Sequence, residues 1–371
     1  MDRKLVSGWY NLHSLVPSSY VQPPERRPTN AILASTKLVP VIDLGALDRA
    51  HTITNILKSS QDYGFFQVIN HGVSKNLVDA KLNIFKEFHA MGEEVKIKES
   101  SKDPNGRCKL YTSSGRITKA VAEYWKDTLR HPCHPLEEFI EYWPHKPFGY
   151  RFYIGLHNLY VRTCESCEQL RGSVGEITNC FHKNNTLILK GKYTKELREL
   201  GLKILELLSE GLGLNPEYFC GGLSENPLLL SHYYPPCPEP SLTLGTSIHK
   251  DPKLITILLQ EPAVNALQIF KDGEWIGVEP IPNAFVVNIG VMLQIISNGR
   301  FVAAEHRVIT NSSSARHSVA YFVNPTKESL NRTCKVSPNS NFSSNVQIYD
   351  IWRLVGKYFY RRLTICRRIA L

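Results

Sequence analysis

The chain has 371 residues, 42% of them hydrophobic and 21% charged, with a formal net charge of +10. That composition excludes a disordered or fibrous chain, and no stretch reaches the roughly 18 uninterrupted apolar residues of a membrane span. Six of the excess charges sit on Arg353, Lys357, Arg361, Arg362, Arg367 and Arg368 at the very end, so the net charge argues for no nucleic-acid partner.

Residues 1–37 carry Pro23-Pro24 and Arg26-Arg27-Pro28 and read as an arm without regular structure. A strand is predicted over 39–44, a helix over 50–63 and a strand over 64–70. Leu77, Ala80, Leu82, Phe85 and Phe88 have helical spacing, which extends to residue 91. Residues 92–120 are charged and Gly/Ser-rich and read as a connection. Residues 152–190 show no periodicity and read as an insertion. Within it Cys164, Cys167, Cys180 and His182 match zinc-ligand spacing only superficially. The nine Cys of the chain form no framework, which fits a reducing, cytoplasmic setting.

Leu197, Leu200, Ile204, Leu207 and Leu208 form one stripe of a helix over 194–212, ended at Gly211 or Gly213. From residue 228 the pattern changes to short β segments broken by Pro and Gly: 228–234, 254–259, 267–270, 275–278, 284–289 and 317–323. Lys271-Asp272-Gly273-Glu274 is a hairpin turn. Past Pro325 the chain is polar, until Ile351, Leu354, Val355, Tyr358, Phe359 and Arg362 give a helical stripe expected to dock over the active-site mouth. The expected fold is α+β: a double-stranded β-helix, or jelly roll, with flanking helices. Its parts are an arm (1–37), an N-terminal region (38–150), an atypical insertion (151–190), a jelly-roll domain with its leading helix (191–327) and a divergent tail (328–371).

His249-Lys250-Asp251 carries the chemistry. Leu242, Leu244, Thr246 and Ile248 alternate as a half-buried strand does, and His249 and Asp251 stand at i and i+2 where that strand runs into Asp-Pro. They can converge on one metal, with Lys250 turned away. His306 must come from another strand. Two His and one carboxylate form the ligand set of non-haem Fe(II) oxygenases. Arg316 and Ser318, again i and i+2, supply a guanidinium fork and a hydroxyl suited to a carboxylate.

These motifs, with Tyr233-Tyr234-Pro235-Pro236-Cys237-Pro238, Ile289-Gly290 and Ser297-Asn298-Gly299, resemble the plant 2-oxoglutarate/Fe(II)-dependent dioxygenases. Gly64-Phe65-Phe66-Gln67-Val68-Ile69-Asn70-His71-Gly72 is similar to that family's N-terminal region, and Tyr124-Trp125-Lys126-Asp127-Thr128-Leu129 to its hyoscyamine 6-dioxygenase-like branch. The resemblance spans residues 38–150 and 191–327. It implies that His249, Asp251 and His306 hold Fe(II), and that Arg316, Ser318 and Tyr234 bind the C5 carboxylate of 2-oxoglutarate. The family usually has Asn where this chain has His232. Cosubstrates would be 2-oxoglutarate and O₂, with ascorbate as reductant. The implied reaction hydroxylates a small, mostly apolar, alkaloid-like metabolite with release of succinate and CO₂.

Trp125, Asp127, Leu293 and Phe322 are the candidate substrate walls, with Asp127 as partner of an amine. A monomer without nucleic-acid or membrane-spanning partners is expected. Two rival readings are an ascorbate-using oxidase that dispenses with 2-oxoglutarate and a catalytically dead member that binds metal or metabolite only.

Overall fold

The computed structural model describes residues 4–28, 38–113, 122–154, 159–162, 186–189, 193–326 and 329. In chain order its strands are β1 (Val41–Asp43), β2 (Phe65–Ile69), β3 (Lys109–Thr112), β4 (Asp127–Pro132), β5 (Leu159–Arg162), β6 (Thr186–Leu189) and β7 (Leu228–Tyr234). They continue with β8 (Leu244–His249), β9 (Ile255–Gln260), β10 (Leu267–Lys271), β11 (Glu274–Gly277), β12 (Phe285–Ile289), β13 (His306–Ile309) and β14 (Arg316–Val323). The helices are α1 (Arg49–Asp62), α2 (Lys75–Ala90), α3 (Glu93–Ser100), α4 (Leu136–Phe139), α5 (Tyr150–Ile154), α6 (Tyr193–Gly211) and α7 (Val291–Ile296). None of them is long and apolar enough to cross a membrane.

One sheet has the order β1-β2-β12-β9-β14-β7-β4-β3, and a second the order β11-β10-β13-β8. Among the described residues only β1 pairs in parallel, with β2. Pleating gives the large sheet two faces. From β9, β14 and α6, residues Ile257, Leu259, Val319, Tyr321, Leu200 and Ile204 join the main core on one face. Phe65, Tyr234 and Val286 meet Leu267, Ile269 and Val308 of the small sheet on the other. The expected jelly roll with helices outside is therefore the observed architecture. Asp272 and Gly273 make the β10–β11 turn with φ of 51° and 83°, the left-handed pair a tight hairpin requires.

Three stretches are more ordered than their sequence suggests. The arm forms short 3-10 turns at Val6–Gly8, Tyr10–Leu12, Ser18–Tyr20 and Pro24–Arg26. Asp127 seats the first of them by accepting from Val6 N at 2.9 Å and Ser7 N at 2.8 Å. Single turns leave no periodic stripe, and their partner lies about 120 residues away, so local patterning could not reveal them. Residues 92–113 hold α3 and β3 rather than a bare connection. Between these, the Asp103 carboxylate accepts from the backbone N–H groups of Asn105, Arg107 and Cys108. Inside the insertion β5 and β6 pair antiparallel. Cys164, Cys167, Cys180 and His182, and the stripe over 351–362, lie outside the described residues.

Candidate metal and cosubstrate site

A β-bulge shapes the site. His306 of β13 pairs with His249, and Val308 pairs with Thr246, so two steps on β13 oppose three on β8. The extra residue turns Thr246 and His249 to the same side although they are an odd number apart. Both line the cavity between the sheets. Simple alternation would have opposed them.

His249, Asp251 and His306 present one ligand atom each, all within 4.8 Å of one another. His249 Nε2 lies 3.5 Å and His306 Nε2 3.9 Å from Asp251 Oδ1. Each imidazole has its other nitrogen at a carbonyl: His249 Nδ1 is 2.8 Å from Ser247 O, and His306 Nδ1 3.2 Å from Ala304 O. A carbonyl only accepts, so Nδ1 carries the proton and the Nε2 lone pair faces the centre. Burial pushes the His306 pKa down to about 4, which keeps that ring neutral and ligand-competent. On Asp251, Oδ2 accepts from Thr256 Oγ1 at 2.5 Å and Asn288 Nδ2 at 2.9 Å, leaving Oδ1 for a cation. Burial alone would raise the Asp251 pKa. The neighbouring His249 and His306 and the amide of Asn288 outweigh it and hold the carboxyl well below its ordinary range. Two imidazole nitrogens and one carboxylate oxygen suit a divalent transition metal.

A second feature stands on the large sheet. Arg316, 2% exposed, donates from Nη1 to Ser318 Oγ at 3.1 Å and from Nη2 to Gln260 Oε1 at 2.9 Å. Among the described residues its Nε is buried without a partner. Burial also draws its pKa below the ordinary arginine value, so an anion at this place relieves two costs at once. Tyr234 pairs with Arg316 across β7 and β14, its ring centroid 5.1 Å from the guanidinium carbon. Tyr234 is brought close by Gly245, where a Cβ would meet the ring at 2.6 Å. Its hydroxyl lies 3.1 Å from Thr246 Oγ1. His232 sits opposite Ser318, with Nδ1 3.0 Å from Thr128 Oγ1.

His249, Asp251, His306, Arg316, Ser318, Tyr234, Thr246 and His232 line one cavity of about 180 Å³. Phe65, Leu230, Leu258, Leu267, Val308 and Phe322 supply its apolar wall. Of the four candidate substrate residues, only Phe322 is in that wall. Trp125 is fully buried beside Tyr20 and Trp9 of the arm, its Nε1 3.2 Å from Pro235 O. Asp127 is taken up by the arm, and Leu293 belongs to the main core. Pleating explains the correction: Trp125 and Asp127 share one parity, and the residue between them, Lys126, faces the cavity. Sequence reasoning passed over Lys126, Thr256, Gln260 and Asn288. For Lys126 the period-two signal was present; the other three become visible only through cross-strand contacts.

Two family patterns match: residues 39–147 match the N-terminal domain described as non-haem dioxygenase in morphine synthesis, and residues 225–325 the 2OG-Fe(II) oxygenase superfamily. The chain is 38% identical to Protein DOWNY MILDEW RESISTANCE 6 of Arabidopsis thaliana over 326 residues, 88% of this chain and 84% of the relative. Hyoscyamine 6-dioxygenase of Hyoscyamus niger is 34% identical over 90% of this chain and 86% of its own length. Flavanone 3-dioxygenase 2 of Oryza sativa subsp. japonica is 35% identical over 85% and 81%. Among solved structures, JOX2 in complex with 2OG, Fe and JA superposes with a TM-score of 0.71 at 30% identity, covering 92% of this chain and 89% of that one.

Proposed function

The chain belongs to the plant 2-oxoglutarate- and Fe(II)-dependent dioxygenases, and from that premise we propose that His249, Asp251 and His306 hold Fe(II), that Arg316, Ser318 and Tyr234 hold the C5 carboxylate of 2-oxoglutarate, and that the enzyme hydroxylates a small, largely apolar molecule. The observation that carries this reading is the pairing of open ligand atoms with an open anion donor in one cavity: two Nε2 lone pairs and Asp251 Oδ1 at one place, the unpartnered Arg316 Nε at the other. When bound, iron and 2-oxoglutarate supply the oxidising chemistry, with succinate and CO₂ released as a C–H bond is hydroxylated.

The chain's own residues bind, orient and exclude water. Ser247 O and Ala304 O fix the two ring orientations. Thr256 and Asn288 fix the carboxylate. Phe65 stands edge-on to His306 with ring centroids 5.2 Å apart and shields that ligand from solvent. Phe322 and the aliphatic wall favour an apolar substrate body. An alkaloid-like amine loses its expected support, because Asp127 is engaged by Val6 and Ser7. Ascorbate serves in this reading only as an external reductant.

Anaerobic titration with Fe(II) and then 2-oxoglutarate tests the assignment. A saturable visible charge-transfer band, lost in His306→Ala, is the expected result. Well-folded protein without a band would favour the dead-member reading. A band together with product formation that releases no succinate would favour the ascorbate-using oxidase.

A further inference from the structure

Three side chains in the cavity wall carry charge: Asp251, Arg316 and Lys126. The first two have partners in the reading above, on which this argument rests. A divalent metal with Asp251 leaves one positive charge. Dianionic 2-oxoglutarate with Arg316 leaves one negative charge, and the two cancel. Lys126 remains as a cation without a counter-charge.

Its surroundings hold it there. Lys126 is 9% exposed, and among the described residues its Nζ has one hydrogen-bond partner, Thr246 Oγ1 at 3.0 Å. A hydroxyl can share an ammonium's protons but cannot neutralise it, and a buried cation lacking an anion is costly. The backbone is clamped from two sides. Lys126 O accepts from Ser113 N at 2.9 Å and Thr112 Oγ1 at 3.1 Å, and Trp125 N donates to Leu244 O at 2.9 Å. The ammonium is therefore delivered from the seam where β4 meets β8 to Thr246 Oγ1, which also lies 3.1 Å from the Tyr234 hydroxyl, and Lys126 lines the cavity together with Tyr111, Ser113, Leu230 and Phe322. Burial draws the Lys126 pKa below the ordinary lysine value, a tendency that an incoming anion reverses.

We propose that Lys126 receives a carboxylate of the substrate, so that the enzyme acts on small, largely apolar acids rather than on amines. One cation beside an apolar wall matches a monoanion with a hydrocarbon or aryl body. It also sets the substrate's orientation: the acid end at the β4–β8 seam, the apolar body across Leu230 and Phe322.

The test is anaerobic calorimetry on the full chain, with Fe(II) and 2-oxoglutarate present, using butyrate, octanoate and cinnamate, their amides, and cinnamylamine as probes. Wild type is expected to bind at least one acid about tenfold or more tightly than its amide, and the amine more weakly than either. Lys126→Met should bring the acid-to-amide ratio to about one, and Lys126→Arg should retain it. The 2-oxoglutarate affinity of Lys126→Met should stay within about twofold of wild type, with a melting temperature no lower than wild type.

Equal binding of acid and amide by wild type, preference for the amine, no acid bound by a chain that takes up 2-oxoglutarate, or an unchanged ratio in Lys126→Met would each overturn the proposal. So would a selective loss of 2-oxoglutarate affinity in Lys126→Met, which would make Lys126 a cosubstrate residue. A chain that never develops the charge-transfer band sinks the iron and 2-oxoglutarate reading instead, while the acid-to-amide ratio still reports on Lys126.

Discussion

Replacing Thr256 by valine removes one hydroxyl from behind the metal-facing carboxylate and keeps nearly the same volume. Asp251 Oδ2 has two donors, Thr256 Oγ1 at 2.5 Å and Asn288 Nδ2 at 2.9 Å. A hydrogen bond to a charged group is worth roughly 1.5–3 kcal/mol, and Asn288 remains to hold part of the orientation. Loss of a group that orients a ligand costs about 10–100-fold in metal affinity, which converts to roughly 1.4–2.7 kcal/mol. The two estimates agree, so Thr256→Val should weaken Fe(II) or Co(II) binding by about tenfold or more. Anaerobic calorimetry reads this directly, with Thr256→Ser as the rescue that restores the hydroxyl. Adding Asn288→Ala should cost less than the sum of the single changes if the variant carboxylate is already free to turn. Metal affinity within about twofold of wild type in a folded Thr256→Val chain would refute the orienting role. Failure of Thr256→Ser to recover would refute the hydrogen bond as its cause.

Arg316→Lys replaces a fork by a point charge and should raise the 2-oxoglutarate dissociation constant by about tenfold or more without changing metal affinity; an unaltered requirement in the same titration would move the cosubstrate carboxylate elsewhere. Gly245→Ala drives a methyl to within 2.6 Å of Tyr234, so about 1–3 kcal/mol of stability should be lost in urea unfolding together with 2-oxoglutarate affinity. Trp125→Ala should cost roughly 3–5 kcal/mol by emptying the packing site beneath the arm, while the KM for substrate holds; a KM effect without a stability loss would return Trp125 to the cavity wall. Glu261 is held at a pKa of about 2 because hydrogen bonds and charge from His317 and Lys86 exceed the opposing effect of burial. Its folded pKa lies below the ordinary 4.5, so its stabilisation is present above that value and disappears as pH falls toward 2, at most about 3 kcal/mol. Glu261→Gln should flatten the stability-versus-pH curve in that window, and an unchanged acid limb would contradict the pairing.

The jelly roll was legible because its strands are short segments of four to eight residues broken by Pro and Gly, and its turns carry Gly and Asp where φ is positive, as at Asp272 and Gly273. Helix α6 was legible through its leucine stripe. The arm's turns, α3 and the short strand β3 were not, because each is held by contacts made far along the chain or by a single carboxylate such as Asp103 or Asp127. At the site, His249 and Asp251 stand two residues apart in the chain and declared themselves by that spacing. His306 needed the assumption of a second strand, which the pairing of His306 with His249 realises.

Residue chemistry and period-two order are local properties, so the sequence alone determined the ligand types, the Arg316-Ser318 pair on one face of β14 and the sheet-rich fold. Register between strands separated by tens of residues is a property of pairing, and only the tertiary structure decided it. It set the β8 bulge that turns Thr246 and His249 the same way, and the donors that Thr256 and Asn288 bring to Asp251. It also chose which face of the 125–127 segment meets the cavity. The arm's backbone N–H groups needed a carboxylate and took Asp127, while Lys126, one residue before it, lines the cavity.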